Sequence, residues 1–400
     1  MKLGKAAALA ACTVASLVLA ACGSDSGSGD SGSGEVEKVS GEPVKVVATT
    51  TQICDYVTQI ATDESDDAEL SFNKTGSDGN TTHFGADPDA AKSELDLTCI
   101  LAPNASAHDH EMTPQQMAAM TEANLLMVNG VDLEHFLDRA VEASGFSGTL
   151  VVTSGFLTSD EKSDEQAVLE AEKSLPYKVY RGEEQVDINE WPFATAAGEE
   201  PEFIYDPHVW TSPHNAMVQV TNIGAALEAA SPENAELFQE HVERFEKQLT
   251  ALDDWAAESF ASVPDEDRVL FTSHDAFGYL SNEFDINFIG TALTDFNDQA
   301  DATAEHIASE ADKVRASGAK ALFAENSNNS KSIEAIASAA GVKAVIGDDA
   351  LYGDSLGPVG TDGETYIGAI MHNVTNLVRA WGGTVAPVPE ILQPYTPKDL

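Results

Sequence analysis

The chain has 400 residues, 67 of them Asp or Glu against 21 Lys or Arg, and a formal net charge of −46. At roughly 100–200 residues per domain and 42% hydrophobic content there is room for about two domains with packed cores, which excludes a chain disordered throughout. Nucleic-acid binding is excluded too, because its affinity comes largely from Lys and Arg neutralising phosphates. The diffuse acidity attracts cations loosely without making a specific site, and suits solubility in a salty or extracellular setting.

Lys2 and Lys5 open a short basic stretch, followed by an apolar run from Ala6 to Ala21 broken only by Thr13 and Ser16. The run falls short of the ~20 residues of a membrane span and fits the apolar core of a secretory signal. It ends in Leu19-Ala20-Ala21-Cys22-Gly23, which is similar to a bacterial lipobox. Residues 1–21 are then a lipoprotein signal, and Cys22 is the lipidated first residue of the mature chain. Residues 22–42 form a Gly/Ser-rich tether with nothing to build a core. No later apolar run is long enough to span a bilayer, so the protein is placed on the extracytoplasmic face of the bacterial cell membrane.

Cys12 leaves with the signal and Cys22 takes lipid, leaving Cys54 and Cys99. Two remaining thiols in an oxidising compartment are expected to form one disulfide. Two buried free thiols, or a metal-holding thiolate pair, are the alternatives.

Continuous apolar runs recur along the body of the chain: residues 44–49, 97–101, 125–128 and 150–153, then 269–272, 287–290, 321–324 and 344–346. Helical stretches lie between them. Continuous rather than alternating apolar character suits parallel strands covered on both faces, and the alternation predicts two α/β domains. Between the halves, Ser231-Pro232-Glu233 reads as an N-cap, a first-turn proline and a first-turn acid. Phe238, Val242, Phe245, Leu249, Leu252 and Trp255 then recur at spacings of three and four, predicting a helix from Pro232 to about Phe260. The expected organisation is a lobe over 43–231, a linking helix over 232–262 and a second lobe over 263–400. Two acidic segments, 63–93 and 159–202, read as surface excursions.

Of ten histidines, His135, His241 and His306 are expected on helix surfaces, His83 in the first acidic excursion, His214 at a helix start and His372 on a C-terminal helix. His108, His208 and His274 stand in distinctive settings. His108 follows the strand at 97–101, His208 precedes a helix in Asp206-Pro207-His208-Val209-Trp210, and His274 ends a strand in Thr272-Ser273-His274-Asp275. Ligands of open α/β sheets bind beyond the carboxyl ends of strands, where His108 and His274 fall. Neutral imidazoles with one carboxylate suit zinc and the later first-row divalent ions.

From about Val44 onward the chain resembles the zinc/manganese solute-binding lipoproteins of bacterial ABC importers, a family also described as adhesins. The family's H-x-Y-E-P-T-P reads His108-Asp109-His110-Glu111-Met112-Thr113-Pro114 here, with His110 and Met112 as departures. D-P-H-x-W is intact at 206–210, S-H-D-A-F-x-Y at 273–279, and the late D-S-L matches Asp354-Ser355-Leu356. Asn129-Gly130-Val131-Asp132-Leu133-Glu134, Phe323-Ala324-Glu325 and Thr365-Tyr366 also fit. The resemblance implies His108, His208, His274 and Asp354 as metal ligands, with His110 a competitor for His108. It implies two α/β lobes with parallel sheets joined by a long rigid helix, and a metal site in the cleft between them. Asp206, Asp275, Glu111 and Glu325 are candidates to orient the imidazoles, against a role in loop or helix capping.

Four protein ligands leave no position for a reacting water, so capture rather than catalysis is expected, and no His-Glu-x-x-His motif is present. The nitrogen-rich set favours Zn²⁺ over Mn²⁺ by the Irving–Williams order, with Mn²⁺ the alternative cargo. The implied function is a lipid-anchored, monomeric receptor that passes its metal to a permease driven by a cytoplasmic ATPase. A surface adhesin is the other reading, though no sequence feature encodes it.

Overall fold

Strands that are apolar without interruption need cover on both faces, and here they receive it: every residue of 125–128, 149–152 and 269–272 is buried. The computed structural model describes residues 34–65, 67–108, 110–191, 193, 203–293, 303–398 and 400. The signal segment, Cys22 and the first part of the tether lie outside the described residues. The first sheet holds β1 (Val44–Ala48), β2 (Leu70–Thr75), β3 (Thr81–Gly85), β4 (Ser93–Cys99), β5 (Leu125–Val128), β6 (Thr149–Val152) and β7 (Lys178–Tyr180), in the order β3-β2-β4-β1-β5-β6-β7. The second holds β8 (Val269–Thr272), β9 (Asn287–Thr291), β10 (Ala321–Phe323) and β11 (Lys343–Val345), in the order β11-β10-β8-β9. All pairings between these strands are parallel except β2 with β3.

The helices are α1 (Thr51–Ala61), α2 (Pro114–Glu122), α3 (Leu137–Ser144), α4 (Asp160–Glu172), α5 (Pro213–Ala230), α6 (Ala235–Ala261), α7 (Gly278–Glu283), α8 (Ala304–Ser317), α9 (Lys331–Ala340) and α10 (Tyr366–Trp381). The two sheets with their helices make two α/β lobes. Helix α6 touches α1, α5 and α10, burying Phe238, Phe245, Leu249, Leu252, Trp255 and Phe260. At 1.5 Å per residue its 27 residues span about 40 Å. Its start differs from expectation by three residues. Pro232–Asn234 form a separate 3₁₀ turn, and Ser231 Oγ accepts from Asn234 Nδ2 (2.7 Å) instead of capping the long helix.

Three further expectations need correction. The acidic segment 63–93 is not a simple excursion, because Leu70, Ser71 and Phe72 of β2 are buried and β2 is an interior strand flanked by β3 and β4. Phe72 and Phe84 stack across that hairpin with centroids 5.5 Å apart. Likewise 159–202 contains α4 and β7, tied together by Arg181, whose guanidinium donates to Glu161 (2.9 and 3.1 Å) and Glu172 (3.0 Å). His241, expected at the surface, is buried in α6 and its Nδ1 meets the Ile60 carbonyl at 2.9 Å.

Cys54 in α1 and Cys99 at the end of β4 form a disulfide, with Cα atoms 5.6 Å apart and 45 residues of separation. On the chain-entropy model, closing that loop contributes about 4 kcal/mol. The replacement of both cysteines by Ala is therefore expected to lower the unfolding free energy by about 4 kcal/mol, read from urea titrations of the two proteins.

Candidate metal centre

Each of the four singled-out residues sits where a chain segment leaves a regular element. His108 lies on the loop from β4 to α2, and His208 on the loop before α5. His274 follows β8, and Asp354 lies between β11 and α10. His108 and His274 thus lie past the carboxyl ends of parallel strands, one in each lobe. The structure brings all four together: one donor atom from each falls within 4.8 Å of the others, and all four residues are buried.

The donor set is close to the spacing a small cation needs. His108 Nε2 and His208 Nε2 are 3.1 Å apart, and Asp354 Oδ1 lies 2.9 Å from His274 Nε2. The same oxygen is 3.5 Å from His208 Nε2 and 3.7 Å from His108 Nε2. A tetrahedron with metal–ligand bonds of 2.0–2.1 Å has edges of about 3.3 Å, so these separations bracket it.

The loops are held by specific backbone chemistry. Asn129-Gly130-Val131-Asp132 makes a tight turn with positive φ at Gly130, Val131 and Asp132 (85°, 55° and 60°). A Cβ at Gly130 would come within 2.1 Å of the Phe156 carbonyl oxygen, so only glycine fits. The Glu134 carboxylate accepts from the Asn129 and Gly130 amides (2.7 and 3.2 Å) and from Thr49 Oγ1 (2.7 Å). Asn129 Nδ2, so positioned, donates to the Pro207 carbonyl at 2.9 Å and fixes the His208 loop. The Asp354 loop is held from the other lobe. Gln52 Nε2 donates to the Asp354 carbonyl (3.2 Å), Leu356 N to Thr51 Oγ1 (2.8 Å), and Asn104 N to the Leu356 carbonyl (3.1 Å).

Carboxylates behind the rings turn their Nε2 atoms to the centre. Asp206 Oδ1 accepts from His208 Nδ1 (2.7 Å) and from the His208 amide (2.9 Å). Glu325 Oε1 accepts from the His274 amide (2.9 Å), and Glu325 Oε2 lies 2.5 Å from His274 Nδ1. Of the four candidate orienting residues, Asp206 and Glu325 take that place. Asp275 lies within electrostatic reach of His274, and Glu111 is exposed. His110 turns aside, with Nε2 3.2 Å from Gln116 Oε1 and its ring against Phe136. Ser106, which sequence reasoning did not single out, donates through Oγ to Asp354 Oδ2 at 2.7 Å. Its signal was unreadable in the chain because its partner is 248 residues away.

Burial sets the charge states. It pushes His108 down to about 4 against the pull of Asp354, and His208 down to about 3, so both are neutral near pH 7. Burial acts the same way on His274, but Asp354 and Glu325 outweigh it and hold this imidazole well above its ordinary value. Burial would raise Asp354, yet His274 and His108 outweigh it and keep the carboxyl well below the usual range. Asp206 and Asp275 are both pushed up to about 7, chiefly by burial. The centre therefore holds two neutral imidazoles beside an imidazolium–carboxylate pair. Glu325→Gln removes one of the two charges that hold the His274 proton, so that proton is expected to leave at lower pH. Imidazole NMR of the metal-free protein against pH measures it.

The fold is two α/β lobes joined by a long helix, with a buried cluster of three histidines and one aspartate drawn from both lobes. A family model described as ZnuA, zinc-uptake complex component A, periplasmic, matches residues 89–380, and the chain belongs to that family. The manganese-binding lipoprotein MntA of Bacillus subtilis (strain 168) is 25% identical over 378 residues, covering 93% of this chain and 98% of its own. The iron-binding protein YfeA of Yersinia pestis is 26% identical over 285 residues, 71% of this chain and 78% of its own. Among solved structures, the periplasmic zinc binding protein TroA from Treponema pallidum shares the fold, with a TM-score of 0.60 and 22% identity. That match covers 85% of this chain and 99% of the other.

Proposed function

We propose that this protein is a lipid-anchored extracytoplasmic receptor that captures one divalent transition-metal ion and hands it to a membrane permease driven by a cytoplasmic ATPase. The observation that carries this reading is the convergence of His108, His208, His274 and Asp354 into one buried four-donor cluster contributed by both lobes. Residues 43–231 and 263–400 serve as the lobes, 232–262 as the joining segment, and Cys22 as the anchor. Among the described residues no helix is long and apolar enough to cross a membrane. Names of relatives include lipoproteins that bind manganese and a protein that binds iron, so the family does not decide the ion.

The donor chemistry favours zinc. Three imidazoles and one carboxylate are a nitrogen-rich shell, the spacing suits a tetrahedron, and zinc outranks manganese in intrinsic affinity for such donors. With four protein donors there is no open position for a reacting water, so the site suits capture rather than hydrolysis. The test is a competition titration of the metal-stripped protein with Zn²⁺ and Mn²⁺ at buffered free concentrations. One equivalent of zinc retained against excess manganese is expected, and His208→Ala is expected to lose that equivalent. Manganese held at comparable free concentration would make this a manganese receptor of the same kind. Unchanged stoichiometry and affinity in His208→Ala would remove the site.

A proton accompanies the metal. His274 must present a bare Nε2 to bind, yet its raised pKa keeps both ring nitrogens protonated, Nε2 toward Asp354 and Nδ1 toward Glu325. Metal binding is therefore expected to expel about one proton, and the apparent affinity to rise up to about tenfold per pH unit below the His274 pKa. The sign is opposite for the metal-free fold: the stabilisation from this raised pKa is present below the unfolded value and lost as pH rises through the folded one. Calorimetry of zinc binding in buffers of differing ionisation enthalpy counts the proton.

A further inference from the structure

The two oxygens of Asp354 are in different circumstances. Oδ1 faces the three imidazoles at 2.9, 3.5 and 3.7 Å. Oδ2 accepts a hydrogen bond from Ser106 Oγ at 2.7 Å. The direction of that bond is set by the backbone, because Ser106 Oγ itself accepts from the His108 amide at 3.3 Å. With a donor already aimed at the hydroxyl oxygen, its one proton is free to point at Asp354. The same short segment thus carries a ligand candidate, His108, and a hydroxyl that engages the far side of another.

We infer that Ser106 is a positioning residue that sets the metal preference of the centre by holding Asp354 to a single metal-facing oxygen. This rests on the reading of Asp354 as a metal ligand. A carboxylate can bind a cation through one oxygen or both, and the choice changes the coordination number. With Oδ2 engaged by the Ser106 hydroxyl, the chain offers three nitrogens and one oxygen, the four-donor shell that zinc takes readily. With Oδ2 released, a fifth donor of hard oxygen becomes available, which suits manganese, an ion that prefers more oxygen ligands and higher coordination. Hydrogen bonds to the outer atoms of ligating groups commonly change metal affinity by about 10–100-fold. The effect of this one falls unequally on the two ions, because it subtracts a ligand that only one of them wants. Ser106 also comes from the opposite lobe to Asp354, so the constraint exists only while the lobes are together.

The experiment uses the full lipoprotein, purified in detergent and stripped of metal, as wild type, Ser106→Ala and Ser106→Thr. Zn²⁺ and Mn²⁺ dissociation constants are measured by competition, and Co²⁺ is added as a spectroscopic probe. Four-coordinate Co²⁺ absorbs visible light several-fold more strongly than five- or six-coordinate Co²⁺. Wild type is expected to show the strong bands. Ser106→Ala is expected to keep one metal per chain, lose those bands, and show a zinc-over-manganese preference reduced about tenfold or more; Ser106→Thr retains the wild-type pattern. Equal weakening of both ions, or an unchanged ratio and spectrum in Ser106→Ala, overturns the inference. Should Ser106→Ala fail to fold, the wild-type cobalt spectrum decides, since weak five- or six-coordinate bands refute a one-oxygen Asp354. No stoichiometric binding of any of the three ions by wild type removes the receptor reading itself, a different result from a changed ratio.

Discussion

Asp354 is a carboxylate with 2% exposure, carried to the meeting place of two lobes. An ion taken that far out of water costs several kcal/mol unless its surroundings replace the lost hydration. The surroundings do so from both sides: His274 contributes a shared proton at Oδ1 and Ser106 a hydroxyl at Oδ2. The imidazoles that complete the cluster are neutral because the same burial drives off their protons, and they cannot solvate an anion as water does. His274, held well above its ordinary value by Asp354 and Glu325, is the cationic partner of that anion.

Support for that anion reaches well beyond the four donors. Asp206 and Glu325 hold the rings from behind, Asn129 holds the loop that carries His208, and Glu134 holds the turn that carries Asn129. Each layer uses short polar contacts inside a scaffold of apolar strands, whose parallel pairing delivers loops to one edge. The rigid element is α6, whose aromatic face is buried along most of its length. A cluster assembled from two lobes needs such a member, because neither lobe alone contributes all four residues.

Much of this was legible in the chain. Continuous apolar runs announced the parallel strands, and β1, β5 and β8 match them to within a residue. His208 and His274 were conspicuous because their local motifs are short and complete, and Asp354 stood out only through the family pattern. What the chain concealed has physical causes. Strand β2 hides in an acidic segment because only its first half is buried, and β3 is mostly exposed, so neither shows a full hydrophobic period. β7 has three residues, too few for any period. His241 read as a surface residue since its neighbours are charged, yet its ring is used by a carbonyl 181 positions earlier. Ser106 escaped for the same reason: serine in a loop is ordinary until a distant partner gives it a task.

The Cys54–Cys99 bond joins α1 to the end of β4, close to two segments that reach across to the other lobe. Thr51 and Gln52 stand on one side of that staple, and Asn104 and Ser106 follow on the other. All four touch the 354–356 loop. Because a covalent link prevents their segments from drifting apart, they approach or leave that loop as a unit. Separation of the lobes would then break the four contacts together rather than one by one, giving the lobe contact the character of a latch with a single threshold.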